Sequence, residues 1–405
     1  MTPWKKNLII LWASQFMSRA GFDLCMPFMP LLLRETLHIS EQYRGLCVSI
    51  YTLASLTSLC IATAFWGIIG DRYGRKLMLL RASYAAAIFY PLLALAPNFY
   101  VLLAIRFVCS FFSGTVNPAQ TLLVSTTPPE KHGFALGTLS TATSSGDMLG
   151  FLLGGLIVEY FGYTTAFMTC GVIYICSGLL VHIFIHEDFH RTIPAKTAVK
   201  ETRWQSFRRL ATPGVTWLLL LFMLNGLATR NDSPFVPMLV ETINGFDRAA
   251  FYTGIASAAA AFGGILSGIA IGFLSNKFSP KTLLTCVILM TATLTATHAF
   301  APNIYSLISI RFATRFAAGG LQPILLVILS RITSPERKGT FFGWSGSVNQ
   351  AGGIFAALLS GSVAYYVGVR GIFISSAIIF FSMLPLSIPM LKAAAIEEKK
   401  LKALN

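Results

Sequence analysis

The chain is 405 residues long, with 55% apolar and only 12% charged residues, about half the charged fraction of soluble domains. A soluble chain of this length needs polar shells around two or three domains. A mean hydropathy of +0.67 leaves too little polar surface for them and excludes a cytoplasmic enzyme, a secreted domain and a disordered chain. The net charge of +15 would suggest nucleic acid only if it gathered on one face, and its placement along the chain says otherwise.

Runs of about 20 apolar residues predict membrane helices, and they fall near residues 7–33, 45–70, 77–95, 99–125, 134–159 and 164–186. A second set follows near 213–240, 250–274, 282–299, 304–330, 340–366 and 371–393. The first run begins after Trp4-Lys5-Lys6 and lacks a small-residue cleavage site, so it reads as a membrane helix and not a cleaved leader. Residues 187–211 form the only long polar stretch, which sets an N-terminal half at 1–186, a linker at 187–211 and a C-terminal half at 212–405. With both termini and the linker inside, 22 of the 31 lysines and arginines fall on the cytoplasmic side and only Arg34, Arg44, Arg248 and Arg370 outside. This is the expected positive-inside pattern, and it removes nucleic acid as a partner.

The second half repeats the first. Ala96-Pro97-Asn98-Phe99-Tyr100 with Ile105-Arg106-Phe107 recurs as Ala301-Pro302-Asn303-Ile304-Tyr305 with Ile310-Arg311-Phe312. Gly114 and Pro118 match Gly319 and Pro323; Gly146, Gly155 and Gly162 match Gly352, Gly361 and Gly368; Pro27-Phe28-Met29-Pro30 matches Pro234-Phe235-Val236-Pro237. Parallel repeats of this kind are related by an axis along the membrane normal, with a substrate site expected between them near the midplane.

Between spans 2 and 3 stands Gly67-Ile68-Ile69-Gly70-Asp71-Arg72-Tyr73-Gly74-Arg75-Lys76. Gly67 and Gly74 permit close approach and a tight turn, and Asp71 is placed to accept from an arginine or to cap a facing helix. The second copy, residues 272–281, keeps the first glycine and its lysines but lacks the acid. Span 4 carries Arg106, and span 5 carries Gly146-Asp147-Met148-Leu149-Gly150 and Gly154-Gly155. With these motifs the whole chain resembles the major facilitator superfamily, in particular its 12-helix drug:proton antiporter branch. The resemblance implies an all-α membrane protein with 12 transmembrane helices in two six-helix bundles and a pseudo-two-fold axis along the membrane normal. It also implies Gly67, Asp71, Arg72, Gly74, Arg75 and Lys76 as a cytoplasmic gate, Arg106 as the span-4 arginine, and Gly146, Gly150, Gly154 and Gly155 as antiporter-type packing glycines. Cys109, Ser110 and Phe151 depart from the family's usual residues.

Charges inside spans are costly and normally face a cavity or a partner. Apart from charges near the span ends, such as Arg81, which count with the loops, five arginines (Arg19, Arg106, Arg230, Arg311, Arg315) and three aspartates (Asp23, Asp147, Asp232) remain within the spans. Arg19 and Asp23 share a helix face, and Asp147 lies among glycines whose spacing favours close helix packing. Repeat matching puts Asp23 opposite Arg230 and Ser110 opposite Arg315, so Asp23, Arg230, Arg19 and Asp232 are expected to form one charge network around a central cavity. A carboxylate freed from an arginine in a dry site takes up a proton, which makes Asp23 the leading proton carrier. The arginine excess also points to an anionic substrate held by Arg230, Arg315 and Arg19 through guanidinium forks, with Phe28, Phe235 and Trp344 beside an amphipathic body.

The seven cysteines are expected as small buried hydrophobes. His182, His186 and His190 read as one interfacial helix face, and no metal or cofactor is expected. The expectation is a proton-gradient-driven exporter of a small organic solute, anionic or amphipathic, acting as a monomer in the bacterial inner membrane. The alternatives are proton-linked transport of a defined anionic metabolite, such as a carboxylate siderophore, and a non-transporting receptor.

Overall fold

The computed structural model describes residues 3–187, 212–333 and 338–404. The expected linker therefore lies outside the described residues apart from Glu187, as does His190. In chain order the helices are α1 (Pro3–Cys25), α2 (Met29–Glu35), α3 (Glu41–Tyr73), α4 (Arg75–Ala94), α5 (Phe99–Phe112), α6 (Val116–Thr126) and α7 (His132–Phe184). They continue as α8 (Pro213–Asp232), α9 (Val236–Asn244), α10 (Ala249–Lys277), α11 (Pro280–Thr297), α12 (Ile304–Ala318), α13 (Leu321–Ile332), α14 (Lys338–Tyr366) and α15 (Val369–Leu404). Each expected span falls on one helix or on two in series. Eight helical stretches among the described residues are long and apolar enough to cross a membrane.

The breaks follow from backbone chemistry. Proline lacks the N–H that a continuous helix needs, and the first span yields to a 3-10 turn, Met26–Phe28, beside Pro27 and Pro30. The matching turn, Ser233–Phe235, lies beside Pro234 and Pro237, so both repeats interrupt their first span at the same place. Spans 5 and 6 run together as α7 and bend at Gly162, whose φ of +80° suits glycine; the matching Gly368, between α14 and α15, has φ +88°. Asn98 and Asn303 cap α5 and α12, each accepting from a backbone N–H at 2.9 Å.

The chain separates into two compact units, Met1–Thr192 with Phe235–Ala261, and Ile193–Pro234 with Phe262–Asn405. The segment carrying α9 and the start of α10 belongs to the first unit by close contact. A Cβ at Gly155 would lie 2.9 Å from Ala250 O and 3.0 Å from Gly254 Cα, so the two glycines let these backbones touch. Ala249 and Ala250 share a buried cluster with Leu24, Phe28 and Leu31. The second unit has its own core, in which Leu218 and Phe222 of α8 pack with Ile288, Leu325 and Met383. Ile88, Val172 and Ile183 in the first unit, and Ile378 in the second, are exposed, as expected of helices solvated by lipid.

The cysteine expectation holds only in part. Cys25, Cys109 and Cys170 are buried, whereas Cys60, Cys176 and Cys286 are exposed, because a thiol is apolar enough to face lipid as readily as a core. Phe28 and Phe235, candidates for core as much as for a cavity wall, are both 0% exposed: they follow the prolines into the packed break of each first span. Trp344 is half-buried, edge-on to Phe341 at 5.2 Å.

Candidate functional site

In the first unit α1 lies against α7 along a glycine stripe. A Cβ at Gly146 would lie 2.6 Å from Phe16 O and 2.9 Å from Arg19 Cβ, and one at Gly150 would lie 2.6 Å from Ala20 O and 3.0 Å from Asp23 Cβ. Gly154 meets Leu24 and Phe28 in the same way. The missing side chains bring the charged face of α1 within reach of Asp147. Arg19 Nε donates to Asp147 Oδ1 at 2.6 Å, and Arg19 Nη2 lies 3.3 Å from Asp23 Oδ2. The Asp23 side chain is 6% exposed and that of Arg19 is 30% exposed. Asp23 Oδ2 has no hydrogen-bond partner, so its tie to Arg19 is Coulombic. One guanidinium thus faces two carboxylates: fully ionised, the cluster carries a formal charge of −1, and one proton brings it to zero. In a dry setting that difference is large.

Arg106 has no carboxylate partner among the described residues. Its Nη1 lies 3.3 Å from Met26 Sδ and its Cζ 5.0 Å from the Tyr51 ring centre, while Tyr51 itself donates to Met26 Sδ at 3.4 Å. A sulfur and a ring face thus stand in for the acid.

In the second unit Arg311 Nη1 lies 3.5 Å from Asp232 Oδ2, both side chains under a tenth exposed. The within-unit partner of Asp232 is therefore Arg311. Arg230 lies along Gly353, where a Cβ would stand 2.5 Å from its Cδ. Neither Arg230 nor Arg315 makes an ion pair among the described residues of this unit. Gly352, the repeat partner of Gly146, brings α14 against α8, where a Cβ would lie 2.8 Å from Leu227 N. Each repeat therefore packs its first and fifth spans on glycine.

The loop motif makes a joint with the end of α7. Gly74 has φ +99° and turns the chain between α3 and α4. The Glu187 carboxylate accepts from Arg75 N at 2.9 Å and Lys76 N at 2.7 Å, capping α4. Lys76 Nζ returns the contact, donating to His182 O at 2.9 Å and Ile185 O at 2.6 Å. An acid caps one helix start and a cation caps the neighbouring helix end, both in the sense the helix dipole favours. Arg72 lies over the Tyr73 ring at 5.5 Å, and Gly67 has open space around its Cα. The side chain of Asp71 is outside the described ones. His182 Nδ1 is 3.1 Å from Tyr84 Oη, a helix-to-helix hydrogen bond.

The Major Facilitator Superfamily model matches residues 11–282 and 232–403. The chain belongs to the major facilitator superfamily. It is a multi-pass membrane transporter, in a family whose members are carriers and not enzymes. It is 29% identical over 381 residues to a multi-drug resistance efflux pump PmrA homolog of Lactococcus lactis subsp. lactis (strain IL1403), covering 93% of this chain and 92% of the relative. It is 31% identical to the multidrug resistance protein MdtG of Enterobacter lignolyticus (strain SCF1), covering 93% and 90%. The fold resembles the crystal structure of nucleoside transporter NupG, with a TM-score of 0.74 at 12% identity, covering 94% of this chain and 99% of that one. It also resembles that of a D-xylose-proton symporter, with a TM-score of 0.70 at 14% identity, covering 94% and 98%.

This superfamily member holds a further buried charge group that sequence reasoning set aside as loop residues. Arg34 Nη1 donates to Glu241 Oε1, and Arg44 Nη2 lies 2.6 Å from Glu241 Oε2. The Glu241 side chain is 3% exposed, and Arg34 lies over the Phe246 ring at 4.3 Å. The signal was in the repeat: the offset that matches Pro27 with Pro234 also matches Arg34 with Glu241. Glu187 was missed because it opens a polar stretch. Nothing in composition separates a capping acid from a solvated one.

Proposed function

We propose that this transporter exports small amphipathic organic solutes of the drug class from the cytoplasm in exchange for protons, working by alternating access as a monomer in the bacterial inner membrane with both termini cytoplasmic. The observation that carries the reading is Arg19 held between Asp23 and Asp147, with Asp23 buried. The cluster has one proton's worth of charge to lose or gain. Loading that proton weakens the hold of Asp23 on Arg19 and leaves the guanidinium to Asp147 alone, which couples proton occupancy to the α1–α7 contact. The efflux pumps named among the relatives support the export direction. The test is drug flux in proteoliposomes under an imposed pH gradient. Asp23→Asn is expected to abolish gradient dependence while the protein inserts and purifies normally; gradient-driven flux equal to that of the unsubstituted protein would refute the role of Asp23.

A second reading, transport of an anionic metabolite, is favoured by Arg230 and Arg315, which lack an ion-pair partner among the described residues of their unit. Counterflow separates the two. An anion carrier exchanges carboxylated solutes in preference to lipophilic cations and loses that preference in Arg230→Ala, whereas the drug exporter favours the cations.

A further inference from the structure

The first unit contains a cavity of about 180 Å³ bounded by α3, α4 and α6 and by the break between α5 and α6. One wall is the turn that follows α5, which stops at Phe112, where the chain passes through Ser113 and Gly114, whose φ is +104°. The walls are largely apolar, from Leu59, Ala62, Met78 and Pro118. Among the described lining residues the only charged side chains are Arg75 and Arg81, both cationic. A second cavity of about 410 Å³ shares Arg75 and Thr121 with it and adds no acid.

Arg81 counts in the sequence with the cytoplasmic loop charges, yet it lies in the second turn of α4 and is half-buried. Its Cζ stacks 3.9 Å from the centre of the Trp66 ring, and the indole is anchored by its own N–H, which donates to Phe111 O at 2.8 Å. Its Nη2 reaches only Ser113 O at 3.4 Å, its Nη1 only Met78 Sδ at 3.9 Å, and its buried Nε has no hydrogen-bond partner. No carboxylate pairs with it among the described residues. A half-buried guanidinium held without an acid is costly, and its free edge is a fork that fits a carboxylate or phosphate.

We infer that this cavity is a binding site for a small organic anion, a carboxylate or phosphate monoester on a single ring or short apolar body, gripped by Arg81 over Trp66. The size agrees: an apolar cavity of about 150 Å³ accepts benzene. A dissolved anion and a phospholipid headgroup share the chemistry. The site is separate from the Arg19 cluster and from the second-unit arginines, and stands whether or not the proposed export is correct.

The experiment is equilibrium binding of radiolabelled benzoate to the full chain in nanodiscs of phosphatidylcholine, with phenyl phosphate and the neutral benzamide as competitors. Saturable binding is expected, displaced by phenyl phosphate and displaced by benzamide about 10-fold less well, as a charge-assisted contact demands. Arg81→Gln should weaken binding about 10-fold or more, and Arg81→Lys, which keeps the charge and loses the fork, should fall between. Arg331→Gln, which removes an exposed arginine at the end of α13 that lines neither cavity, should bind as the unsubstituted chain does; a loss equal to that of Arg81→Gln would mark a response to net charge alone and overturn the inference. Adding phosphatidylglycerol tells the sources apart: competition names the headgroup as occupant, no competition names a dissolved anion, and both uphold the site. No saturable benzoate binding, equal displacement by benzamide, or unchanged affinity in monodisperse Arg81→Gln would each overturn it. Should Arg81→Gln fail to fold, the benzamide comparison and Arg81→Lys decide.

Discussion

Arg34 and Glu241 occupy equivalent positions in the two repeats, carry opposite charges, and pair with each other inside the first unit. Arg44 closes on the same carboxylate. One buried acid therefore serves two arginines, of which Arg34 also pairs with Glu35. Breaking a buried pair by removing one partner costs about 3–5 kcal/mol, so Glu241→Gln is expected to lower stability by about 3 kcal/mol. Thermal unfolding of the purified protein in detergent reads this; an unshifted transition would mean the group is held by Coulomb contacts too well hydrated to matter.

The glycine stripe of α7 predicts a position-specific effect. Gly150→Ala puts a methyl where Ala20 O stands 2.6 Å away, which forces α1 outward and lengthens the Arg19–Asp147 contact. Overpacking of this kind costs about 1–3 kcal/mol, and pH-gradient-driven flux should fall with it. Gly137→Ala on the same helix meets nothing within 4 Å and should raise stability by about 0.5 kcal/mol, the helix-propensity gain alone, while leaving flux unchanged.

Lys76 and Glu187 cap opposite ends of two adjoining helices at one joint. Glu187→Ala should destabilise by about 1 kcal/mol, the usual worth of a helix cap. Because each residue holds the joint that presents the other, the double variant Lys76→Ala with Glu187→Ala should cost less than the sum of the single ones by about 0.5 kcal/mol or more. Strict additivity in chemical denaturation would show two independent caps.

The ring of Tyr51 stands where Arg106 would otherwise need an acid, and Tyr51 is 6% exposed. Tyr51→Phe keeps the ring face and should be nearly neutral. Tyr51→Leu removes it and should cost about 2 kcal/mol, the worth of a desolvated cation–π contact, read as a lower unfolding temperature. Equal behaviour of the two variants would transfer the role to the hydroxyl and Met26.

Much of the helix layout was legible in the chain itself. Apolar runs placed the spans, Pro27, Pro30, Pro234 and Pro237 marked where two of them break, and Asn98 and Asn303 marked where two begin. These features act through the backbone of a few neighbouring residues, so sequence order contains them. The repeat brought Asp23 and Gly146 to attention, and the charge and glycine spacing of span 5 brought Asp147 and Gly150, before any helix was packed.

The choice of partner was not legible in the same way. Arg19 binds Asp147 as well as Asp23, Asp232 turns to Arg311, Arg34 and Arg44 meet on Glu241, and Arg81 goes to Trp66. By itself the sequence determined a membrane-spanning, internally repeated chain with a defined set of charges inside it. The tertiary structure decided which of those charges meet. Hydropathy records only what a residue gains by leaving water, whereas pairing depends on how each helix is rotated against its neighbours, and that rotation is fixed by contacts between residues about a hundred or more positions apart, such as Gly150 against Ala20 and Gly155 against Gly254.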